Sequence, residues 1–314
     1  MKAAVLNEKG FHIIEKEIPV PGPGQVLVKT AGCGVCEGDL FRYIHRHELA
    51  SMNFKGIQIG HEGSGVVTAV GPYVEHFSVG DRVTSLYGDY AEYFLAEASH
   101  LVHIPDGIKT HMALGEPVAC CMAGAEHFGI ALGDRVAVFG IGFMGLVTLQ
   151  LARLQGASEV VVFDIIDWRL DKALAMGADR AVNNRERDAA ALLAEYGEFD
   201  VFIEAAGVQA AIDVGTALTR KHGTLNLVGY HQSEGGKRSV DMKTWNYKAL
   251  TVVNSHIRDD VHKRKLMADC LRLMAAGRLN IDALIANYDF ANISRAFEDL
   301  AARKKGLLKA NLVF

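Results

Sequence analysis

Cys36, His61, Glu62 and Glu116 are the residues of this chain whose types could do chemistry together: a thiol, an imidazole and two carboxylates. His61 and Glu62 lie in the string Gly60-His61-Glu62-Gly63-Ser64-Gly65, where glycines let backbone pass close to an ion without a Cβ in the way. Sulfur, nitrogen and oxygen donors in one set suit zinc. Three protein donors and an open fourth position is how a catalytic zinc is held. For a lone His-Glu pair the blander reading, a core histidine beside a solvated glutamate, would be preferred. Here the pattern continues through Gly71, Val74, Phe77 and Gly80-Asp81-Arg82-Val83.

A second constellation is Gly140-Ile141-Gly142-Phe143-Met144-Gly145, a G-x-G-x-x-G string. It directly follows the apolar run 136–139 and opens a helical pattern, the context in which such glycines permit a tight turn and bring N–H groups to a pyrophosphate. Asp164 closes the next strand pattern, where an acid binds the adenosine ribose hydroxyls and repels a 2′-phosphate. NAD is therefore expected over NADP, although Arg169, five residues on, could meet a phosphate. The alternative for Asp164 is a helix N-cap.

The elements that must position these residues divide at about residue 125. Residues 1–125 show short strand patterns at 26–30, 65–70 and 91–95, punctuated by Pro21-Gly22-Pro23-Gly24, Gly71-Pro72 and Gly80-Asp81, as in a closed or partly closed barrel. From 126 to 255 strands (136–139, 159–163, 199–204, 224–228, 250–253) alternate with helical patterns, which means a doubly wound parallel sheet. A helix at 267–276, another at 293–302 and a strand at 309–313 follow, and residues 256–314 are assigned back to the first domain. The fold class is α/β, a β-rich catalytic domain plus a dinucleotide-binding domain.

Composition sets limits. With 314 residues, 50% of them hydrophobic, the chain is long enough for two packed domains. A net charge of −4 gives no electrostatic reason to expect nucleic acid or an anionic membrane as a partner. The N-terminus shows no signal-peptide pattern, and the five cysteines lack a disulfide framework, which fits a reducing, cytoplasmic setting.

The string around His61, with its glycines, resembles the signature of the zinc-containing medium-chain alcohol dehydrogenases. The similarity spans essentially the whole chain and is nearest to the sorbitol and threonine dehydrogenase type, where Glu116-Pro117 matches a glutamate-proline third ligand position. The resemblance implies a GroES-like catalytic domain and a Rossmann domain, with Cys36 and His61 as zinc ligands and Glu62 and Glu116 competing for the remaining places. It also implies that Asp39 orients His61, and that Ala206, Gly207, Val228 and Gly229 wrap the nicotinamide half of NAD. The four-cysteine lobe of the larger family is missing after Val83, so one zinc per chain is expected. A further departure is that Gly38 and Phe41 stand where the family places its proton-relay serine or threonine and a histidine, which leaves Glu62 through a water, His45 or His47 as substitutes. The implied activity is hydride transfer between NAD and a secondary alcohol or ketone: a polyol, sugar derivative or cyclitol. The alternatives are reduction of an activated double bond, and a catalytically silent NAD-binding protein. A homodimer or homotetramer is expected, and residues 40–59 and Asn254-Ser255-His256 are expected to line the substrate pocket.

Overall fold

In the computed structural model, which describes residues 1–48 and 56–314, the N-terminal segment folds as an antiparallel hairpin of β1 (Lys2–Asn7) and β2 (Gly10–Glu15). Then come β3 (Gln25–Gly34), α1 (Glu37–Ile44), β4 (Glu62–Val70), β5 (Arg82–Ser85), β6 (Tyr93–Glu97), β7 (Leu101–His103) and α2 (Gly115–Ala125). The strongly apolar middle of the chain supplies β8 (Arg135–Phe139), α3 (Phe143–Gln155), β9 (Glu159–Asp164), α4 (Asp167–Ala175), β10 (Arg180–Asn183) and α5 (Ala189–Tyr196). It continues with β11 (Phe199–Glu204), α6 (Gln209–Leu218), β12 (Thr219–Leu227), α7 (Met242–Lys248) and β13 (Thr251–Asn254). The chain ends with α8 (Asp260–Ala275), β14 (Ile285–Asp289), α9 (Ile293–Ala301) and β15 (Lys309–Val313).

Two compact units result: Met1–Ala119 with Arg258–Phe314, and Cys120–Ile257. The first holds a seven-stranded sheet ordered β14-β15-β3-β4-β5-β7, with β6 hydrogen-bonded to β3. Its aromatic core sits under α1: Phe11 lies 5.7 Å from Tyr43 and 4.6 Å from Phe297, with Tyr90, Phe290 and Leu312 in the same cluster. This packing fixes the helix that begins beside Cys36. A second cluster, including Val28, Val67, Phe77 and Phe94, fills the space between β3, β4 and β6.

The second unit is a six-stranded parallel sheet, ordered β10-β9-β8-β11-β12-β13. Strand order reverses direction at β8, so the carboxyl ends of β8 and β11 bound the crevice where open α/β sheets bind ligands. Buried Phe139, Phe163, Phe199 and Phe202 form its core.

Two local readings differ from the sequence pattern. α8 starts at Asp260 rather than at 267, because its first turns are polar and carry no apolar period; the Asp259 carboxylate caps it by accepting the N–H groups of Val261 and His262. Residues 40–44 belong to α1, and 49–55 lie outside the described residues. No helix among the described residues is long and apolar enough to cross a membrane.

Asp89, between β5 and β6, has its carboxyl pushed up to about 6 by burial, against a weaker opposing pull from Lys16. A carboxyl whose pKa is raised on folding contributes stability at low pH that is lost as pH rises through the folded value. Asp89→Asn is therefore expected to match the parent in urea unfolding near about pH 4 and to exceed it near about pH 8. An equal difference at both pH values would contradict burial as the cause.

Candidate functional site

Cys36 follows β3 by two residues and serves as the N-cap of α1, its Sγ accepting the backbone N–H of Gly38 at 3.4 Å. His61 immediately precedes β4, and Glu62 opens it, paired with Gly34 at the end of β3. A Cβ on Gly34 would overlap Glu62 Oε2, so glycine at that register position gives the carboxylate its room. Among the described residues, the donor atoms of Cys36, His61 and Glu62 all lie within 4.8 Å of one another.

Each donor is held from behind. The buried Asp39 Oδ2 faces His61 Nδ1 at 3.5 Å and accepts the Tyr90 hydroxyl at 2.9 Å. With Nδ1 turned to a carboxylate, Nε2 is the ring nitrogen left for a ligand. Glu62 Oε1 accepts from Lys309 Nζ at 2.6 Å, an ion pair almost wholly removed from water. Glu62 Oε2 is buried with no hydrogen-bond partner among the described residues. Leaving such an oxygen unsatisfied costs about 1–3 kcal/mol, more if it is charged; a cation in the three-donor group would remove that cost. The donor set therefore fits zinc in type, number and electrostatic need.

Burial pushes the Glu62 carboxyl up, with Lys309 pulling it down and Glu116 adding to the rise. Burial likewise pushes the Cys36 thiol up to about 12, helped by the Glu62 charge. Burial works against the Lys309 ammonium, but Glu62, Cys36 and Glu116 outweigh it and its pKa is raised.

Glu116 stands apart from the three-donor group. It lies in the first turn of α2, buried, with its carboxylate held by Lys263 Nζ from α8. His45 turns Nδ1 to the Phe41 carbonyl at 2.9 Å, and the exposed His47 faces Glu48. Gly38 supplies no hydroxyl, and the Phe41 ring lies tilted against His45, their centroids 4.0 Å apart.

In the second unit the glycine string leaves β8 and α3 begins at Phe143 with Gly142 as its N-cap, a residue that makes no side-chain cap hydrogen bond. Gly140 adopts a φ of 93°, and a Cβ on Gly145 would overlap the Gly140 carbonyl. Met144 takes part in packing, its sulfur 3.4 Å from Cys121. Asp164 ends β9 and accepts the N–H of Ile141 at 2.6 Å and of Ile166 at 3.0 Å, with Arg169 at 3.8 Å. It does not cap α4, whose N-cap is Ile166. The buried Glu204 organises the remaining turn: its Oε1 accepts from Ala206 and Gly207 at 2.8 and 2.6 Å, and its carbonyl from Val228 and Gly229. His231 lies 3.1 Å from the same carboxylate.

Sequence reasoning missed Lys263, Lys309, Glu204 and His231. A lysine in the apolar run Leu307-Leu308-Lys309-Ala310 was a readable sign of a buried partner. Lys263, inside the basic string His262-Lys263-Arg264-Lys265, gave none.

Residues 22–106 match the family model described as alcohol dehydrogenase GroES-like domain, and residues 144–276 the one described as zinc-binding dehydrogenase. The L-threonine 3-dehydrogenase of Pyrococcus abyssi is 30% identical, over 95% of this chain and 94% of that protein. The chain belongs to the zinc-type medium-chain alcohol dehydrogenase family. It is accordingly an oxidoreductase of the alcohol dehydrogenase type. Among other members, the sorbitol dehydrogenase of Gallus gallus is 28% identical over 97% of this chain and 93% of that one. A solved structure from E. coli CFT073, described as a short chain alcohol dehydrogenase complexed with NADH, matches with a TM-score of 0.88 at 26% identity, covering 100% and 99% of the two chains.

In metal-free protein, Lys309→Met should cost about 3–5 kcal/mol of stability by leaving a buried carboxylate uncompensated. Glu62→Gln with Lys309→Met should regain most of it, as read by guanidinium unfolding. A single variant as stable as the parent would show that the pair does not brace the site.

Proposed function

We propose that this chain is a zinc-dependent, NAD-linked dehydrogenase acting on a secondary alcohol, of the polyol, sugar-derivative or cyclitol class. One observation carries the proposal: thiol, imidazole and carboxylate donors converge within 4.8 Å, and Glu62 keeps a buried oxygen without a hydrogen-bond partner among the described residues. Zinc in such a set supplies a Lewis acid for the substrate oxygen, as it lowers the pKa of a bound water from about 15.7 to about 7.

The chain's own residues do the rest. Asp39 sets the His61 tautomer and ring orientation, and Tyr90 holds Asp39 in turn. Lys309 holds one oxygen of Glu62, whose carboxylate belongs to the three-donor group. The buried Asp39, Glu62 and Lys309 keep water from the side of the site behind the donors. At the nucleotide, the glycine string and the start of α3 hold the pyrophosphate of NAD. Asp164, tied to the glycine string through Ile141, is the acid for the ribose hydroxyls, and Arg169 steadies it. Ala206, Gly207, Val228 and Gly229, drawn together by Glu204, frame the nicotinamide half.

Gly38 and Phe41 keep a second reading in play, reduction of an activated double bond, because neither supplies a relay group for an alcohol proton. The deciding experiment pairs zinc analysis with a screen of polyols plus NAD and of enones plus NADH. About one zinc per chain and turnover of polyols are expected. Turnover of enones alone would favour the second reading, and absence of both metal and turnover would defeat the proposal. Cys36→Ser should lose zinc and alcohol oxidation while binding NAD as the parent does. Asp164→Ala should weaken NAD tenfold or more, since a hydrogen bond to a charged group is worth about 1.5–3 kcal/mol, and should narrow its preference over NADP; unchanged cofactor preference would refute that role.

A further inference from the structure

Gly207 is held at both of its backbone groups. Its N–H donates to Glu204 Oε1 at 2.6 Å, and its carbonyl accepts from Arg238 Nη2 at 2.9 Å. Glu204 closes β11 fully buried, and the Arg238 side chain is only 8% exposed. His231 stands between the two, with Nε2 3.1 Å from Glu204 Oε2 and Nδ1 3.0 Å from Arg238 Nε. A guanidinium has no acceptor, so Nδ1 must accept from it. The imidazole is therefore the neutral tautomer with its proton on Nε2, and it donates to Glu204. One arrangement of protons satisfies the whole relay, and the buried carboxylate is compensated through the ring.

Arg238 is built in rather than draped over the surface. It makes five hydrogen bonds, as many as it has N–H groups: to His231, to the carbonyls of Gly207, Ser233 and Lys237, and to Ser233 Oγ. A tight turn at 233–236, with Glu234 in the left-handed region at a φ of 57°, sends the chain back toward Gly207. There Gln209, at the start of α6, docks the returning strand: its side chain donates to the Ser239 carbonyl and accepts the Ser239 N–H, both at 2.9 Å. A Cβ on Gly229 would come within 2.5 Å of both Glu204 Oε2 and the Gly207 nitrogen. The turn at 206–207, the strand end at 228–229 and the loop 231–239 thus form one braced unit.

We propose that His231 and Arg238 are positioning residues for the nicotinamide half of the cofactor: through Glu204 and the Gly207 carbonyl they hold the turn at 206–207 in the shape that receives it. This rests on the reading that Ala206, Gly207, Val228 and Gly229 frame that half. None of the hydrogen bonds of the relay reaches Asp164 or the start of α3, so binding of the adenosine half does not depend on it.

The test uses full-length protein, with NADH affinity read from nicotinamide fluorescence and affinity for AMP, which carries the adenosine half alone, read by calorimetry. Arg238→Met and His231→Leu should each weaken NADH on the order of tenfold, the scale of one lost charge-assisted hydrogen bond, and change AMP by no more than about twofold. The amide of His231→Gln can accept from Arg238 and donate to Glu204, so this variant should bind NADH within about twofold of the parent. Parental NADH affinity in Arg238→Met and His231→Leu overturns the proposal, and so does an equal loss of NADH and AMP, which a general loosening of the unit would give. His231→Gln binding as weakly as His231→Leu overturns the relay, and this pair decides the matter even if Arg238→Met does not fold. A parent that binds NADH no tighter than AMP defeats the reading of the nicotinamide frame instead.

Discussion

Two buried carboxylates, Glu62 and Glu116, must have their charge balanced inside the first unit, and that is the constraint on which the rest of the site depends. Water cannot screen them there, so compensation must come from the protein or from an ion. Two lysines supply part of it, Lys309 to Glu62 and Lys263 to Glu116. Even so, one Glu62 oxygen has no hydrogen-bond partner among the described residues, and the Cys36 thiol holds its proton far above the usual range. A divalent cation answers both needs at once: it pairs with the free oxygen and displaces the thiol proton.

That constraint explains the path of the chain. β15 returns from the far end of the sequence to lie beside β3, with Asn311 opposite Gly34, and this carries Lys309 to the start of β4. α8 returns likewise to meet α2. The last part of the chain thus brings the positive charge without which the first part could not bury its donors. In the second unit the corresponding work is done by backbone. Asp164 and Glu204, both buried acids at strand ends, spend their oxygens on N–H groups of the turns that face the nucleotide crevice.

Much of this was legible before any coordinates. The glycine string at 140–145 and the donors at 61–62 could be read because their chemistry is local in sequence. β15 lies at 309–313, where the sequence pattern indicated a strand. The Lys263–Glu116 and Lys309–Glu62 pairs span 147 and 247 residues, distances over which no spacing rule operates. The start of α8 was hidden for a related reason, since its cap and polar first turns look like a solvated loop. Glu62 and Glu116 could not be ranked from spacing, because the difference between them lies in which lysine each meets.

Zinc K-edge X-ray absorption on protein purified without chelators tests the central claim most directly. The account requires a shell with one sulfur at about 2.3 Å and the remaining nitrogen and oxygen neighbours at about 2.0–2.2 Å. A shell of several sulfurs, or one with none, would contradict a centre built on Cys36, His61 and Glu62.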